Sequence, residues 1–350
     1  MKHSWTIFIL LQFIIIPQLN AQSVEELGRF YMAGDYEKVV KLGKQALNED
    51  AGNPKINLIV GRALTDKKQF KEAIPYLRKG LVNKNNEEWV RAWSLGYLGH
   101  CYFLTDQYKL SKMSLRRCVD LNETKNSVKY AQKRVKLFQM QAIFDSWDIM
   151  KTEHLRFHIQ NKDRINNLEN YISSREKAYK AINAFFEATP YKTIDVFIWE
   201  NQDVAKKVLN RHLGFANSNL CIINAAVKQT RGHELTHILM NHGIRPKKRT
   251  RLINEGVAVY FDQTNRDRYK VARESLGNDK IDIIDLWKHP DHYPRSYNYT
   301  IGGAFIAFLM EHGGEARLKE LLANQTPKAA AQIYDDFDAL IAAFERRMHQ

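Results

Sequence analysis

The chain has 350 residues, 44% of them hydrophobic, which allows one large or two ordinary packed domains and excludes a disordered protein. Lysine and arginine outnumber aspartate and glutamate by 53 to 39, a formal net charge of +14. Much of this excess positive charge lies along helical faces. The dense cluster "RPKKRTR" at residues 245–251 has no nucleic-acid recognition motif beside it. We therefore expect no nucleic-acid partner.

Residues 1–21 have the layout of a secretory signal peptide. Lys2 gives a basic start, residues 5–16 form an apolar run, Pro17 breaks that run, and Ala21 is the small residue before the expected cleavage point. The run is far shorter than the roughly 20 residues of a membrane-spanning helix, and no later stretch is apolar for long enough. We therefore expect an exported protein, periplasmic or extracellular, with no stable membrane span after cleavage.

Residues 22–150 are predicted to form an all-α repeat domain. Three related heptapeptides recur at steps of 34 and 38 residues: "GDYEKVV" at Tyr36, "KQFKEAI" at Phe70 and "DQYKLSK" at Tyr108. The first step equals the tetratricopeptide period. Gly61 and Gly99 each precede the aromatic residue of their unit by nine positions, where paired helices pack closely. The segment resembles tetratricopeptide repeats, which implies a solenoid that presents a surface for a protein partner.

The end of this domain is predicted from its helical pattern. "SVKYAQKRVKLFQMQAIFDSWDIM", residues 127–150, keeps a helical apolar period with many charges and is interpreted as a terminal capping helix. A domain boundary is therefore expected near Lys151.

The three cysteines, Cys101, Cys118 and Cys221, are an odd number and include no C-x-x-C pair. They cannot form a complete disulfide framework and are interpreted as buried thiols, not as zinc ligands. A bridge between Cys101 and Cys118 remains open, because export into an oxidising compartment permits one.

Residues 151–350 change to a mixed pattern and are predicted to form an α+β domain with a small sheet. The predicted elements are strands at 154–160, 193–200 and 218–225, a helix at 165–187, a helix from "HELTHILMNHG" ending at Gly243, and a second helix in "LINEGVAVYFDQT". The basic cluster lies between these last two helices.

The pentapeptide "HELTH" at residues 233–237 is the main candidate for chemistry. On a helix, residues four apart share one face, so His233 and His237 can converge on one ion with Glu234 beside them. Imidazole nitrogens suit Zn²⁺, and a catalytic site needs three protein ligands and one open position. Glu255, in "NEG" and 18 residues past His237, supplies a third ligand. Its spacing disfavours the alternative that both histidines merely decorate a surface helix.

H-E-x-x-H followed by N-E-G resembles the gluzincin metallopeptidases, the superfamily of thermolysin and aminopeptidase N, and within it the peptidase-MA-like proteins. The resemblance covers residues 151–350 in layout. It implies these roles: zinc ligands His233, His237 and Glu255; general base and acid Glu234; and, from "YTIG", oxyanion donor Tyr299, with Tyr297 in reserve. Aromatic packing is the open alternative for both tyrosines.

The resemblance also implies how substrate is held, and the chain departs from the family in two respects. "SNLCIINAAV" occupies the place of the edge strand that pairs with an extended peptide, with Gly214 and Ala216 near the cleft. The G-x-M-E-N motif of aminopeptidases is missing, which favours an endopeptidase or a processing peptidase. Val259 replaces the aspartate that orients a ligand histidine in thermolysin, leaving Asn254, Asp262 or a backbone carbonyl for that role.

The sequence therefore predicts an exported zinc metallopeptidase that hydrolyses a peptide or protein, with Zn²⁺ as its cofactor and a repeat array that recruits substrate or partner. His154, His212 and His242 are interpreted as ordinary polar residues outside the site. The alternative function is a repeat-based envelope scaffold that carries a catalytically silent gluzincin domain.

Overall fold

The computed structural model describes residues 19–82 and 87–350. The chain divides into two compact units, residues 1–137 and 138–350. The predicted signal peptide at residues 1–21 lies almost wholly outside the described residues. Over the ranges that are described, no helix combines the length and apolar character needed to cross a membrane.

The first unit consists of α-helices arranged in pairs. These are α1 (Leu19–Met32), α2 (Tyr36–Glu49), α3 (Pro54–Asp66), α4 (Phe70–Val82), α5 (Glu88–Leu104), α6 (Tyr108–Leu121) and α7 (Lys125–Leu137). The aromatic residue of each repeated heptapeptide is the first residue of α2, α4 or α6, the second helix of its pair. The sequence period therefore corresponds to one helix pair, and the predicted helical repeat region is confirmed.

Small residues bring the helices of a pair together. A Cβ atom on Gly61 would stand 2.6 Å from Cγ of Leu77, and one on Gly99 would stand 2.5 Å from Cγ of Leu115. Both leucines are fully buried, so a larger residue in place of either glycine would push the helices of the pair apart. The two predicted close-packing positions are confirmed.

The predicted capping helix at residues 127–150 is wrong in its second half. Helix α7 ends at Leu137, residues 142–144 form a 3₁₀ turn, and strand β1 begins at Asp148. The rings of Phe144 and Trp147 lie 5.6 and 4.7 Å from the ring of Trp199 in the sheet of the second unit. The aromatic residues that continued the helical pattern therefore pack on a sheet, and the units divide after Leu137 instead of near Lys151.

The second unit contains a five-stranded mixed sheet. The strands are β1 (Asp148–Lys151), β2 (Leu155–Ile159), β3 (Ile194–Trp199), β4 (Phe215–Asn217) and β5 (Ile222–Ala226), in the order β1-β2-β3-β5-β4. Strands β2, β3 and β5 are parallel, and β1 and β4 run antiparallel to their neighbours at the two edges. The predicted strands at 154–160 and 193–200 correspond to β2 and β3.

The third predicted strand requires a correction. Residues 218–220 form a 3₁₀ turn, and β5 pairs with β3 on one side and β4 on the other. The segment "SNLCIINAAV" is therefore not the edge strand. Hydrophobic side chains on both faces of β5 fit an interior position, and the edge is the three-residue strand β4, too short to give a sequence signal.

Nine α-helices follow or separate these strands in the described residues of the second unit. They are α8 (Leu168–Phe186), α9 (Gln202–Leu209), α10 (His233–Gly243), α11 (Arg251–Tyr260), α12 (Arg268–Leu276), α13 (Ile283–Lys288), α14 (Tyr297–Ala323), α15 (Pro327–Ile333) and α16 (Phe337–Met348). Helix α14 is interrupted at Gly314, whose φ is +71°. The predicted helices at 165–187, at "HELTHILMNHG" and in "LINEGVAVYFDQT" correspond to α8, α10 and α11.

The core of the second unit lies on one face of the sheet. Leu155 and Phe157 of β2 and Val196 of β3 belong to one buried cluster with Ile182 of α8 and Ile238 of α10. Alternation along the strands puts the next residues on the opposite face. This packing fixes α10 against the sheet and positions the first helix of the predicted zinc site.

All three cysteines are buried free thiols. The Sγ atom of Cys101 lies 3.1 Å from Oγ1 of Thr65, whereas that of Cys118 lies 3.0 Å from the carbonyl oxygen of Ala92. The two thiols have separate neighbours, and the bridge left open by the sequence is not formed.

Candidate metal centre

Helices α10 and α11 bring three potential metal ligands together. His233 and His237 are one turn apart on α10, with ring centroids 5.0 Å apart. Oε2 of Glu255, on α11, lies 3.3 Å from Nε2 of His233 and 3.5 Å from Nε2 of His237. Tetrahedral zinc with ligand distances of roughly 2.1 Å requires donor atoms about 3.4 Å apart. The two distances to Glu255 are close to this value, and all three donor atoms lie within 4.8 Å of one another, so these residues could hold Zn²⁺.

Glycine residues explain why the two helices meet in this way. Gly232, immediately before α10, donates its backbone N–H to the carbonyl oxygen of Asp262 at 3.0 Å. A Cβ atom on Gly232 would stand 2.3 Å from the carbonyl oxygen of Phe261. The start of α10 is thus held against the segment that ends α11, and no larger residue fits at that contact.

The imidazole of His237 has a neighbour that can fix its orientation. Nδ2 of the Asn254 amide lies 3.3 Å from Nδ1 of His237, and Oδ1 of that amide has no hydrogen-bond partner among the described residues. Metal binding through Nε2 would leave the proton on Nδ1, and the amide, with its nitrogen and oxygen exchanged by a flip, would then present Oδ1 as the acceptor. This orientation also satisfies the unpartnered oxygen. Asn254 was one of the three predicted alternatives for this role.

The side chain of Asp262, another of those alternatives, is used elsewhere. Its Oδ1 accepts from Arg268 at 2.6 Å and from Thr264 Oγ1 at 2.7 Å. Its backbone carbonyl anchors Gly232. Asp262 therefore supports the site through the backbone and through this local network.

The cleft beside the three ligands contains the predicted catalytic residues. It has a volume of about 580 Å³, and Glu234 and Tyr299 line it. The ring of Tyr299 stacks on that of His233 with centroids 5.9 Å apart. Tyr297, the reserve candidate, lies away from the cleft and donates its hydroxyl to Asp279 at 3.0 Å. The geometry therefore separates the two tyrosines that the sequence left as alternatives.

Burial and mutual proximity shift the pKa values of these groups in the absence of an ion. Burial raises the pKa of Glu234, which is 5% exposed, and burial together with nearby Glu255 raises the pKa of Tyr299. Burial opposes ionisation of Glu255, yet hydrogen bonds from His233 and His237 lower its pKa well below the usual range. These contacts hold both imidazole rings beside the Glu255 carboxylate.

The three histidines that the sequence placed outside the site have partners elsewhere. His242 lies with Nε2 3.0 Å from the carbonyl oxygen of Ser218, and Nδ1 of His212 lies 3.2 Å from Gln202. His154 belongs to a second cluster of potential ligands with Glu153 and Glu176.

That second cluster is a hydrogen-bonded structural unit. Nδ1 of His154 contacts Glu176 at 2.6 Å, and Glu176 also accepts from Thr152 at 2.5 Å. Glu153 pairs with Lys180 at 2.6 Å. Its carboxylates are occupied by protein groups, and nothing at this place points to an ion.

Gly214 and Ala216, which the sequence placed near the cleft, line it together with Phe215 of edge strand β4. Three arginines, Arg211, Arg249 and Arg295, also line it, and no cleft position was predicted for Arg211 or Arg295. Arg249 belongs to the basic cluster noted in the sequence. Arg211 and Arg295 are isolated loop residues, and no spacing or motif could identify them.

Comparison with known protein families gives a match that lies within the first unit. Residues 95–125 match the family "Tetratricopeptide repeat", a stretch that spans most of α5, all of α6 and the start of α7. Among curated proteins, none shows significant similarity to this chain.

Proposed function

We propose that the second unit is a zinc-dependent metallopeptidase and that the chain acts after export. The observation that carries this proposal is the meeting of His233, His237 and Glu255, with their donor atoms within 4.8 Å of one another, beside Glu234 and Tyr299. The signal-like sequence of residues 1–21 supports export to a periplasmic or extracellular location.

The side chains of the cleft can perform peptide hydrolysis. Zinc held by this donor set supplies Lewis acidity, which polarises a carbonyl group and makes water more acidic near neutral pH. Glu234 takes a proton from the attacking water, whose oxygen bonds to the carbonyl carbon of the peptide. The C–N bond then breaks, and Glu234 delivers the proton to the departing amine. The Tyr299 hydroxyl donates a hydrogen bond to the oxygen that gains negative charge.

Strand β4 offers a place for an extended substrate. It pairs with β5 on one side only and borders the cleft through Phe215 and Ala216. A peptide that adds to this edge forms main-chain hydrogen bonds and lies along the candidate zinc site. This arrangement favours an endopeptidase or a processing peptidase that binds the middle of a chain.

The first unit is proposed to bind a protein, either the substrate or a partner, as tetratricopeptide repeats commonly do. Arg62 of α3 lies with its guanidinium carbon 4.4 Å from the ring of Tyr31 and 4.8 Å from that of Trp93. These three half-buried residues come from the first helices of successive pairs. Arginine, tyrosine and tryptophan are the residues most enriched in binding hot spots.

Metal analysis tests the enzymatic proposal directly. Purified protein should contain about one equivalent of zinc by plasma mass spectrometry. His233→Ala and His237→Ala should lose it, whereas His212→Ala, a matched control outside the cleft, should retain it. Glu234→Gln should retain zinc and lose peptide hydrolysis, because only proton transfer is removed.

The same zinc and hydrolysis measurements also test the alternative function, a scaffold with a catalytically silent domain. Zinc at full occupancy with no hydrolysis of any peptide or protein substrate by the wild type would favour the scaffold. Full zinc content in both histidine variants would overturn the ligand assignment itself.

A further inference from the structure

The three arginines that line the cleft come from three separate segments. Arg211 lies between α9 and β4, Arg249 between α10 and α11, and Arg295 just before α14. They are therefore not a solvated charge run along one helix, which is the ordinary explanation of clustered basic residues. Tertiary folding brings these cationic side chains to one cavity.

The loop that carries Arg249 is held in place by backbone contacts. Lys247 donates its N–H to the carbonyl oxygen of Ala323 at 2.9 Å, and Gln325 donates its N–H to the carbonyl oxygen of Lys248 at 3.1 Å. Arg249 itself donates to Oδ1 of Asn241 at 2.6 Å. The position of its guanidinium is therefore restrained from two sides.

The cleft arginines differ from their neighbours in what they contact. Arg251, at the end of the same loop, pairs with Asp291 at 2.6 Å, and Arg268 pairs with Asp262 at 2.6 Å. In the described part of the chain, no carboxylate lies within salt-bridge distance of the three arginines of the cleft. Arg211 lies instead 3.7 Å above the ring of Phe215, in edge strand β4.

The acidic side chains of the cleft already have other partners or a proposed catalytic role. Glu255 contacts the two histidines, Asp262 contacts Arg268, and Glu234 is reserved for proton transfer in the proposed reaction. A divalent ion at the candidate site would add two positive charges. With that ion bound, the cleft would have an excess of positive charge, and guanidinium groups bind carboxylates with two parallel hydrogen bonds.

We propose that Arg211, Arg249 and Arg295 bind carboxylate groups of the substrate, so that this peptidase selects acidic peptide segments. The proposal rests on the peptidase function proposed above and defines its substrate class. The carboxylates come either from aspartate and glutamate side chains or from a free C-terminus. These two sources share the same chemistry, and the experiment below separates them.

Binding to a non-hydrolysing variant gives a readout that does not depend on activity. Full-length zinc-loaded Glu234→Gln protein is titrated with fluorescein-labelled peptides of equal length, and the dissociation constant is measured by fluorescence anisotropy at low and high salt. Four peptides are compared: glutamate-containing and amidated; glutamine-containing and amidated; glutamine-containing with a free C-terminus; and lysine-containing and amidated.

The glutamate peptide should bind roughly tenfold more tightly than the amidated glutamine peptide, and this preference should shrink at high salt. Each of Arg211→Gln, Arg249→Gln and Arg295→Gln should weaken binding of the glutamate peptide by about threefold to tenfold. The neutral peptide should be affected little. Lys247→Gln, in the same loop but outside the cleft, is the matched control and should leave the preference unchanged. Circular dichroism melts confirm folding of each variant.

The outcomes distinguish the sources and the two proposals. Tighter binding of the free C-terminal glutamine peptide alone would assign the carboxylate to the chain terminus. Equal affinity for all four peptides, no binding of any peptide, or equal losses on acidic and neutral peptides would overturn the carboxylate proposal. A wild type that binds acidic peptides but neither holds zinc nor hydrolyses them would instead remove the peptidase proposal.

Discussion

A Cβ atom on Gly302 would stand 3.1 Å from the Cα atom of Gly256, so the backbones of α11 and α14 meet with no side chain between them. Gly256 directly follows the candidate ligand Glu255, and Gly302 lies three residues after Tyr299. The glycines of "NEG" and "YTIG" are thus packing partners. Their contact brings a ligand from one helix and a candidate oxyanion donor from the other to the same cleft.

Gly256→Ala should therefore destabilise the second unit and weaken metal binding. The added Cβ atom would stand 2.5 Å from the carbonyl oxygen of Gly302, backbone that cannot move aside as a side chain would. Overpacking of this kind costs about 1–3 kcal/mol. Urea unfolding and zinc competition with a chromophoric chelator measure both effects.

The control for this variant is Gly28→Ala in α1, where no atom lies within 4 Å of the added Cβ atom. Alanine at this half-buried helix position, where the added Cβ atom meets no neighbouring element, should be neutral or slightly stabilising. Wild-type stability and zinc affinity in Gly256→Ala would show that the helix contact does not position the site.

Tyr299→Phe should lower kcat by about 10²–10³-fold with little change in KM. The hydroxyl donates where negative charge develops in the transition state, and one lost oxyanion donor has this typical cost. Tyr297→Phe is the matched control, because its hydroxyl contacts Asp279 outside the cleft. It should cost about 1 kcal/mol of stability and leave kcat unchanged. A wild-type kcat in Tyr299→Phe would mean that Tyr299 only packs its ring against His233 and does not donate to the oxyanion.

The sequence predicted those parts of the fold in which local pattern and final packing agree. Helices α8, α10 and α11 bury one regular face each, whereas strands β2 and β3 are buried on both faces and one face of each is uniformly apolar. These periods are visible in the sequence. At Phe144 and Trp147 the local sequence pattern and the final packing disagree. These aromatic residues continue a helical spacing in the sequence, but they pack on Trp199 of the sheet. Strand β4, with three residues, is too short to have a period.

The candidate site was predictable where a motif fixes spacing along one helix or between two helices. His233, His237 and Glu255 meet as the sequence indicated, and Tyr299 lies at the cleft. The arginines of the cleft belong to loops whose positions depend on tertiary contacts, such as the bond between Lys247 and Ala323. Such contacts leave no signal in a single sequence.

Asn254→Ala should raise the dissociation constant for zinc by about 10–100-fold. The Asn254 amide is the neighbour of Nδ1 of His237, and loss of a partner that orients a ligand histidine typically has this cost. Asn254→Asp keeps an acceptor oxygen at the same place and should restore most of the affinity. Competition with a chromophoric chelator at neutral pH provides the measurement.

Asn241→Ala is the control for that experiment, since Asn241 lies on α10 and contacts Arg249 instead of a ligand. It should bind zinc as the wild type does. Equal affinities of the Asn254→Ala variant and the wild type would mean that another group orients His237.

Asp195 is the centre of a buried charge cluster that should govern acid stability. It is fully buried on β3 and accepts from Nε2 of His158 at 2.8 Å and from Arg156 at 3.2 Å, and it also pairs with Lys192. Burial alone would raise the pKa of this carboxyl, but Lys192, the hydrogen bond with His158, and Arg156 lower it below its usual range.

A depressed pKa in the folded state stabilises the protein at pH values above the unfolded pKa, roughly 3.9 for aspartate. That contribution is lost as pH falls below about 4 toward the folded pKa. Asp195→Asn should therefore be about 3–5 kcal/mol less stable than wild type at neutral pH, because it removes one partner of a buried ion pair. Its free energy of unfolding should then fall less steeply than that of wild type between about pH 4 and pH 2.

Asp335→Asn makes the same substitution in an ion pair with Arg317, where the Asp335 side chain is 88% exposed, and should change stability by about 1 kcal/mol or less. Urea unfolding of the three proteins across this pH range measures the effect, and parallel curves for wild type and Asp195→Asn would show that Asp195 does not control acid unfolding.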